Sequence, residues 1–317
     1  MAALIPLTSS LLSAHGFRHG FSPRAGGVST GAFAACNLGR GVGDEPAHVE
    51  ENRSRFAAAV GYADASLFEV HQVHGRAVHR VHPGGDAAAL RHEEGDGLVA
   101  PPGAAVGVRS ADCVPVLLGD PETRCVAALH AGWRGTALGI VGQGVRALAE
   151  LSGAPPARLV AALFPHIRVC CFEVSPEVAA TLLGVCWESR RLASRPGQAR
   201  SGRRRTLEIR RVFRRSADAQ SGPAATEIRA TSFPSRLLAA SPDREVVRYA
   251  AEPGSASDPT PHVALASILR AQLLAAGLAV DGIDDVPGCT RCNAEHFFSY
   301  RRDGQASGRH LGVIVAG

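Results

Sequence analysis

The stretch "VPVLLGDPETRCVAALHAG", residues 114 to 132, restricts the fold more than any other part of the chain. It holds two short apolar runs separated by a polar turn. Apolar, five to seven residues long and bounded by Gly or Pro, such runs read as strands. "GLVAPPGAAVGVRSA", residues 97 to 111, repeats the pattern with Gly and Pro as punctuation. The N-terminal "LLSAHGF" reads as a first strand and "HLGVIVAG" as the last.

Helices are signalled between these strands. "DEPAHVEENRSRFAAAVG" has Asp44 as N-cap, Pro46 in the first turn and Gly61 as terminator. "TALGIVGQGVRALAELSG" is capped by Thr136 and closed by Gly153. "SPEVAATLLGVCW" opens on Ser175 and Pro176, and "PHVALASILRAQLLAAGL" is amphipathic. The expected architecture is α/β: a single domain of mixed, sandwich-like β-sheets flanked by helices. Residues 1–187 and 259–317 supply that domain.

Residues 188–258 are poor in sustained periodicity and rich in Arg, Ser, Ala, Pro and Gly. They read as an Arg-rich insertion, partly disordered, because too little apolar surface offsets the entropy of ordering them. The chain has no lysine. Its net charge is +5, yet residues 190 to 215 alone carry 11 Arg against Glu208, leaving the rest at −5. Nucleic-acid binding by the body of the protein is therefore not implied. Contact through the insert would be electrostatic, with Phe213 the one aromatic in its basic run. No apolar run is long enough to span a membrane, and the N-terminal segment lacks a basic leader region, so cytoplasm is the expected compartment.

Common nucleotide signatures are missing: "GRGVGD" follows no apolar strand, and a chain without lysine has no P-loop. Eight cysteines, at 36, 113, 125, 170, 171, 186, 289 and 292, are too sparse for a disulfide scaffold. Cys289-Thr-Arg-Cys292 has metal-clip spacing, but no second clip of that spacing accompanies it, so two core cysteines are expected there. The remaining candidates sit at strand ends: His71 and His74 in "EVHQVHG", Cys113 in "SADC", and His130 in "LHAGWRG". Two imidazoles and a thiolate suit zinc and leave a fourth position open, as catalytic sites require. A thiol nucleophile with a histidine base, or an ordinary buried pair, fits the same residues.

The motifs "HGFRHGFSPRAGGVSTGAFAACNLGRGVGDEPAHVEENR", "HQVHG", "SADCVPVLL", "HAGWRGT", "PHIRVCCFEV" and "CTRCNAEHFFSYRRDGQASGR" occur in this order. Together they resemble the laccase-domain family, also known as YfiH-like. Its members were once labelled multicopper polyphenol oxidases. They are now described as purine nucleoside phosphorylases with adenosine deaminase activity, or as peptidoglycan editing factors. The resemblance implies Zn2+ held by His74, Cys113 and His130, with Arg53 facing substrate. It makes His71 a neighbour of the site or a surface residue, not a ligand. Arg134 is a further candidate for substrate contact.

Purine nucleoside and phosphate are the implied partners. Where the family has Gly-Pro, this chain has Phe164-Pro165; where a late helix motif has Asp and Asn, it has Ala264 and Leu269. These departures bear on the rim and on substrate choice. Rival readings are a Cys113–His130 thiol hydrolase acting on cell-wall precursors, a polyphenol oxidase, and a nucleic-acid binder working through the Arg-rich insert.

Overall fold

The computed structural model describes residues 3–194, 246–250 and 260–317. Most of the Arg-rich segment lies outside the described residues. In chain order the strands are β1 (Arg18–Phe21), β2 (Leu67–Phe68), β3 (Val78–Arg80), β4 (Gly97–Ala100), β5 (Ala105–Ser110) and β6 (Val114–Gly119). They continue with β7 (Val126–Ala131), β8 (Val160–Leu163), β9 (Val247–Ala250), β10 (Thr260–Val263), β11 (Ile283–Asp285) and β12 (His310–Val315). The helices are α1 (Ser10–Ala14), α2 (Pro46–Val60), α3 (Ala87–Leu90), α4 (Trp133–Leu138), α5 (Ile140–Ser152), α6 (Pro176–Ala193), α7 (Leu265–Ala275) and α8 (Tyr300–Asp303).

Six strands form one mixed sheet in the order β11-β8-β6-β7-β4-β3, and four form a second in the order β1-β12-β5-β2. Among the described residues, β9 pairs with β10 in a separate two-stranded sheet. The alternation of side chains explains the layering. On one face of the larger sheet, Leu98, Leu117, Ala128 and Ala162 meet Phe21, Val106, Val108 and Ile314 of the smaller sheet. On the other face, Val116, Leu118, Leu129 and Leu163 pack under Ile140, Val145, Leu182, Ile268 and Leu273 of α5, α6 and α7. The outer face of the smaller sheet carries Val313 and Leu311 against Phe56 and Val60 of α2. β6 and β7 are thus buried along their whole length. This is the expected single α/β domain with sandwiched mixed sheets flanked by helices.

Local differences from the sequence reading have identifiable causes. "LLSAHGF" does not open as a strand: Ser9 accepts from the amide of Leu12 and caps α1, and Gly16, at φ 72°, closes it before β1. Asp44 is not the N-cap of α2. Its carboxylate is taken by the Ser29 hydroxyl and the Asn37 amide, and Glu45 stands at the cap. Thr136 lies inside α4, and Gly139 at φ 80° separates α4 from α5. Ser175 caps α6 as expected, and that helix continues to Ala193, beyond the boundary set at 187. The amphipathic segment from 261 splits into β10 and α7.

Gly119 ends β6 directly against Phe17; an added Cβ would come within 2.3 to 2.7 Å of three Phe17 ring atoms. The ring cannot retreat, since the Arg124 guanidinium covers it at 4.0 Å while bonding the carbonyls of His15 and Gly16. Gly119→Ala is expected to destabilise the fold by about 1–3 kcal/mol through overpacking, read as a lower denaturant midpoint. An unchanged midpoint would show that the Phe17 clamp yields.

A carboxylate-braced His-Cys-His centre

Three chain segments converge at the ends of β6 and β7. His130 is the penultimate residue of β7, Cys113 directly precedes β6, and His74 lies on the turn before β3. One potential donor atom from each falls within 4.8 Å of the others, and the two imidazole rings are 4.9 Å apart at 75°. His130 is buried, Cys113 half-buried and His74 exposed. The centre therefore opens to solvent on one side and is walled on the other.

The organising group is Asp96, fully buried at the entry to β4. One carboxylate oxygen lies 2.8 Å from His130 Nδ1 and accepts from the His74 amide at 2.9 Å. The other accepts from the amides of Gly75 and Val73 at 2.5 and 3.2 Å. His130 donating Nδ1–H to this carboxylate leaves Nε2 as the free donor atom. A carboxylate behind a ligating imidazole is the usual arrangement at a metal. Asp96 holds the His74 turn in the left-handed region, at φ 60°, which a non-glycine residue adopts only under constraint.

Electrostatics match this arrangement. Burial pushes the Cys113 thiol up, but the adjacent His130 and His74 outweigh it and bring the pKa down to about 6. Burial alone would lower His130, yet Cys113 and Asp96 raise it to about 9. A thiolate beside an imidazole held by a carboxylate is a soft, anionic pocket suited to a borderline-soft cation, and the donor set fits zinc. Gly132 is required here: a Cβ would lie 2.9 Å from His74 Cδ2 and 3.0 Å from Cys113 Sγ. Its smallness lets the two donors close on each other.

Other expected residues fall elsewhere. Arg53 is fully buried and cannot face substrate. Its guanidinium is taken by the Leu38 carbonyl at 3.1 Å and by Asp64 and Glu69 at 3.2 and 2.5 Å. Arg134 is exposed on α4 with its guanidinium 4.8 Å from the Trp133 ring centre. His71 is exposed and bridges to Glu94, outside the donor group. Phe164 and Leu269 are core residues with no exposure, so these two departures concern packing and not the rim. Ala264 sits at the start of α7 without a capping side chain.

Sequence spacing also missed a second grouping. Cys289 and Cys292 are not simply core residues: Cys292 is exposed, and both lie beside Cys170 and Cys171. The second pair is adjacent in sequence and so shows no clip spacing. Asp96 was missed because an acid before a strand carries no motif. Arg309, not singled out in the sequence, directly precedes β12, whose His310 pairs with Ser110; its guanidinium bonds the Ser307 and Gly308 carbonyls at 2.6 and 3.1 Å and lies 5.5 Å from the Tyr300 ring centre.

Among the described residues, no helix is long and apolar enough to cross a membrane. A sequence profile of the family described as "Multi-copper polyphenol oxidoreductase laccase" matches residues 18–232 and 222–317. A Deinococcus radiodurans protein named purine nucleoside phosphorylase is 44% identical over 164 residues, 51% of this chain and 61% of that protein. A purine nucleoside phosphorylase of Streptomyces coelicolor is 42% identical over 172 residues, 54% of this chain and 70% of that one. The match thus spans less than two thirds of the Deinococcus relative. The crystal structure of the Bacillus licheniformis hypothetical protein YfiH aligns with a TM-score of 0.70 at 25% identity, covering 94% of this chain and 92% of that one.

Asp96→Asn should keep the fold but loosen His130 and the His74 turn, lowering metal affinity about 10–100-fold; competition with a chromogenic chelator measures it, and unchanged affinity would remove Asp96 from the centre. Arg53→Met removes the fully buried partner of Glu69, leaving only the longer contacts of Arg40 at 3.4 Å and Arg109 at 3.6 Å, and should cost about 3 kcal/mol in denaturant unfolding. A stable variant with a weakened response to phosphate would instead return Arg53 to the substrate.

Proposed function

Since the chain belongs to the family described as multi-copper polyphenol oxidoreductase laccase, we propose that it is a zinc-dependent purine nucleoside phosphorylase acting on adenosine, inosine or methylthioadenosine. The observation that carries this reading is the convergence of His74, Cys113 and His130. The names of the relatives from Deinococcus and Streptomyces supply the reaction class. Zn2+ held by these three donors would supply Lewis acidity beside a coordination position open to substrate or water.

The protein's own side chains account for the rest. Asp96 fixes the His130 tautomer and ring plane, so Nε2 is presented without reorganisation. Cys113 enters as a thiolate and holds negative charge at the centre. In phosphorolysis a phosphate oxygen attacks the anomeric carbon, the glycosidic bond breaks and the purine departs with the bonding electrons. The incoming phosphate needs a cation, and Arg53 is committed to Asp64 and Glu69. Arg309 is assigned that role in its place. It directly precedes β12, whose His310 pairs with Ser110, three residues before Cys113. Its guanidinium bonds the Ser307 and Gly308 carbonyls and no carboxylate among the described residues. It would neutralise and orient the phosphate, which is where most of the acceleration would arise. Arg134, on the helix that follows His130, contributes an outer contact to the nucleoside. Adenosine deamination is the proposed companion activity of the same centre.

One observation favours a second reading. Asp96, His130 and Cys113 stand in the order of a carboxylate, base and thiol nucleophile, which would suit a thiol hydrolase acting on peptidoglycan precursors. An oxidase reading is less well supported. Of the two donor groups among the described residues, one is His-Cys-His and the other all cysteine; neither is the histidine set of a trinuclear copper cluster.

Purified protein is expected to split inosine only when phosphate is present. His74→Ala should lose one ion per chain together with turnover. Arg309→Ala should raise the KM for phosphate roughly 10–100-fold, as about 1.5–3 kcal/mol per charge-assisted hydrogen bond implies. Turnover that survives chelation, ignores phosphate and is abolished by alkylation of Cys113 would replace the phosphorylase with the thiol hydrolase.

A further inference from the structure

Away from the His-Cys-His centre, two loops bring four thiols together. Cys170 and Cys171 follow β8, and Cys289 and Cys292 follow β11. The parallel pairing of β8 with β11 continues past the strands as a bridge between His166 and Cys289, with the Thr290 amide donating to the His166 carbonyl. This holds the loops side by side. The sulfur of Cys170 lies 3.6 Å from that of Cys289 and 3.5 Å from that of Cys292; Cys171 is 3.1 Å from Cys292. All four sulfurs fall within 4.8 Å of one another.

A tetrahedral ion with metal–sulfur bonds of about 2.3 Å places its sulfurs roughly 3.8 Å apart. The cluster needs sub-ångström opening to accept one. Iron–sulfur clusters, with several metal atoms between the thiolates, need a wider set. The environment is prepared for thiolate. Cys289 Sγ accepts the Arg168 amide at 3.4 Å, and the amides of Arg291 and Cys292 also bond it. Such amide donors favour the charged form of the sulfur over the neutral thiol. The Arg291 side chain bonds Cys171 and offsets part of the excess negative charge that four thiolates around a divalent ion would leave. Cys170 and Cys292 are exposed, which gives an ion a route in, while Cys171 and Cys289 are buried.

We propose that Cys170, Cys171, Cys289 and Cys292 form a structural tetrathiolate site for a zinc-class divalent ion, separate from the His-Cys-His centre. Binding would displace the remaining thiol protons to solvent and tie the two loops together. The tie would reach the first centre through Asp112, whose carboxylate accepts from the Thr290 hydroxyl and the Arg301 amide, both at 2.6 Å. Asp112 adjoins Cys113 and is held at φ 96°. The ion would thus steady the backbone that presents Cys113 without touching substrate.

The test uses the full chain, purified reduced and without oxygen, loaded with Zn2+ and desalted. It should retain about two ions per chain, with about one in Cys170→Ser or Cys292→Ser. Both substitutions fall on exposed positions, which protects the fold. Co2+ added to the His74→Ala protein should give the intense absorption of a tetrahedral four-sulfur site, and this should vanish in His74→Ala/Cys292→Ser. Equal metal content in the parent and Cys292→Ser chains would overturn the proposal. So would a Co2+ spectrum without thiolate character, or recovery of the four thiols as disulfides in chain isolated without oxidant.

Discussion

One buried carboxylate sets the conditions for the centre. Asp96 receives three amides from a single turn and the ring of an imidazole from a strand. Removing a carboxylate from water is costly, and it is tolerated here because its lone pairs are satisfied by donors that have few other partners. The same bonds bend the His74 turn into an unfavourable conformation and rotate His130 into place. Strain and orientation come from one group, so neither donor has to be organised when a ligand arrives.

The opposite flank is built on the same logic with different parts. Asp112 is also a non-glycine residue at positive φ, and it too is held by donors from distant chain, Thr290 and Arg301. Two of the three described non-glycine residues with positive φ therefore sit at or next to a donor of the centre. Such conformations persist where the surroundings over-determine them. The surroundings here are two wholly buried strands, β6 and β7, whose ends Cys113 and His130 mark.

Much of this was legible in the sequence. The continuous apolar runs of β6 and β7 forecast strands, Cys113 and His130 stood out as candidates at the ends of those runs, and the family resemblance completed the set with His74. What could not be read depends on contacts between remote segments. Asp96 has no periodic or spacing signal, and its role arises only when β4 lies beside β7. Arg53 was expected at the substrate from the family resemblance alone; Glu69 and Asp64, from the chain after its helix, enclose it. The thiols at 170 and 171 escaped attention because a clip search looks for spacing, whereas the parallel neighbours β8 and β11 supply proximity that sequence distance hides. Local punctuation was misread where a polar side chain had a better offer: Asp44 prefers the Ser29 and Asn37 loop to the helix end.

Complete wrapping of β6 has an evolutionary corollary. A strand with hydrocarbon on both sides rejects almost any polar replacement along its length, so drift there is confined to swaps among apolar residues of similar volume. Chemistry can be retuned only at its tip, where the chain emerges beside Cys113, and in the loops that lean on that tip. Descendants of this scaffold would then differ in what they act upon while their interior stays almost frozen.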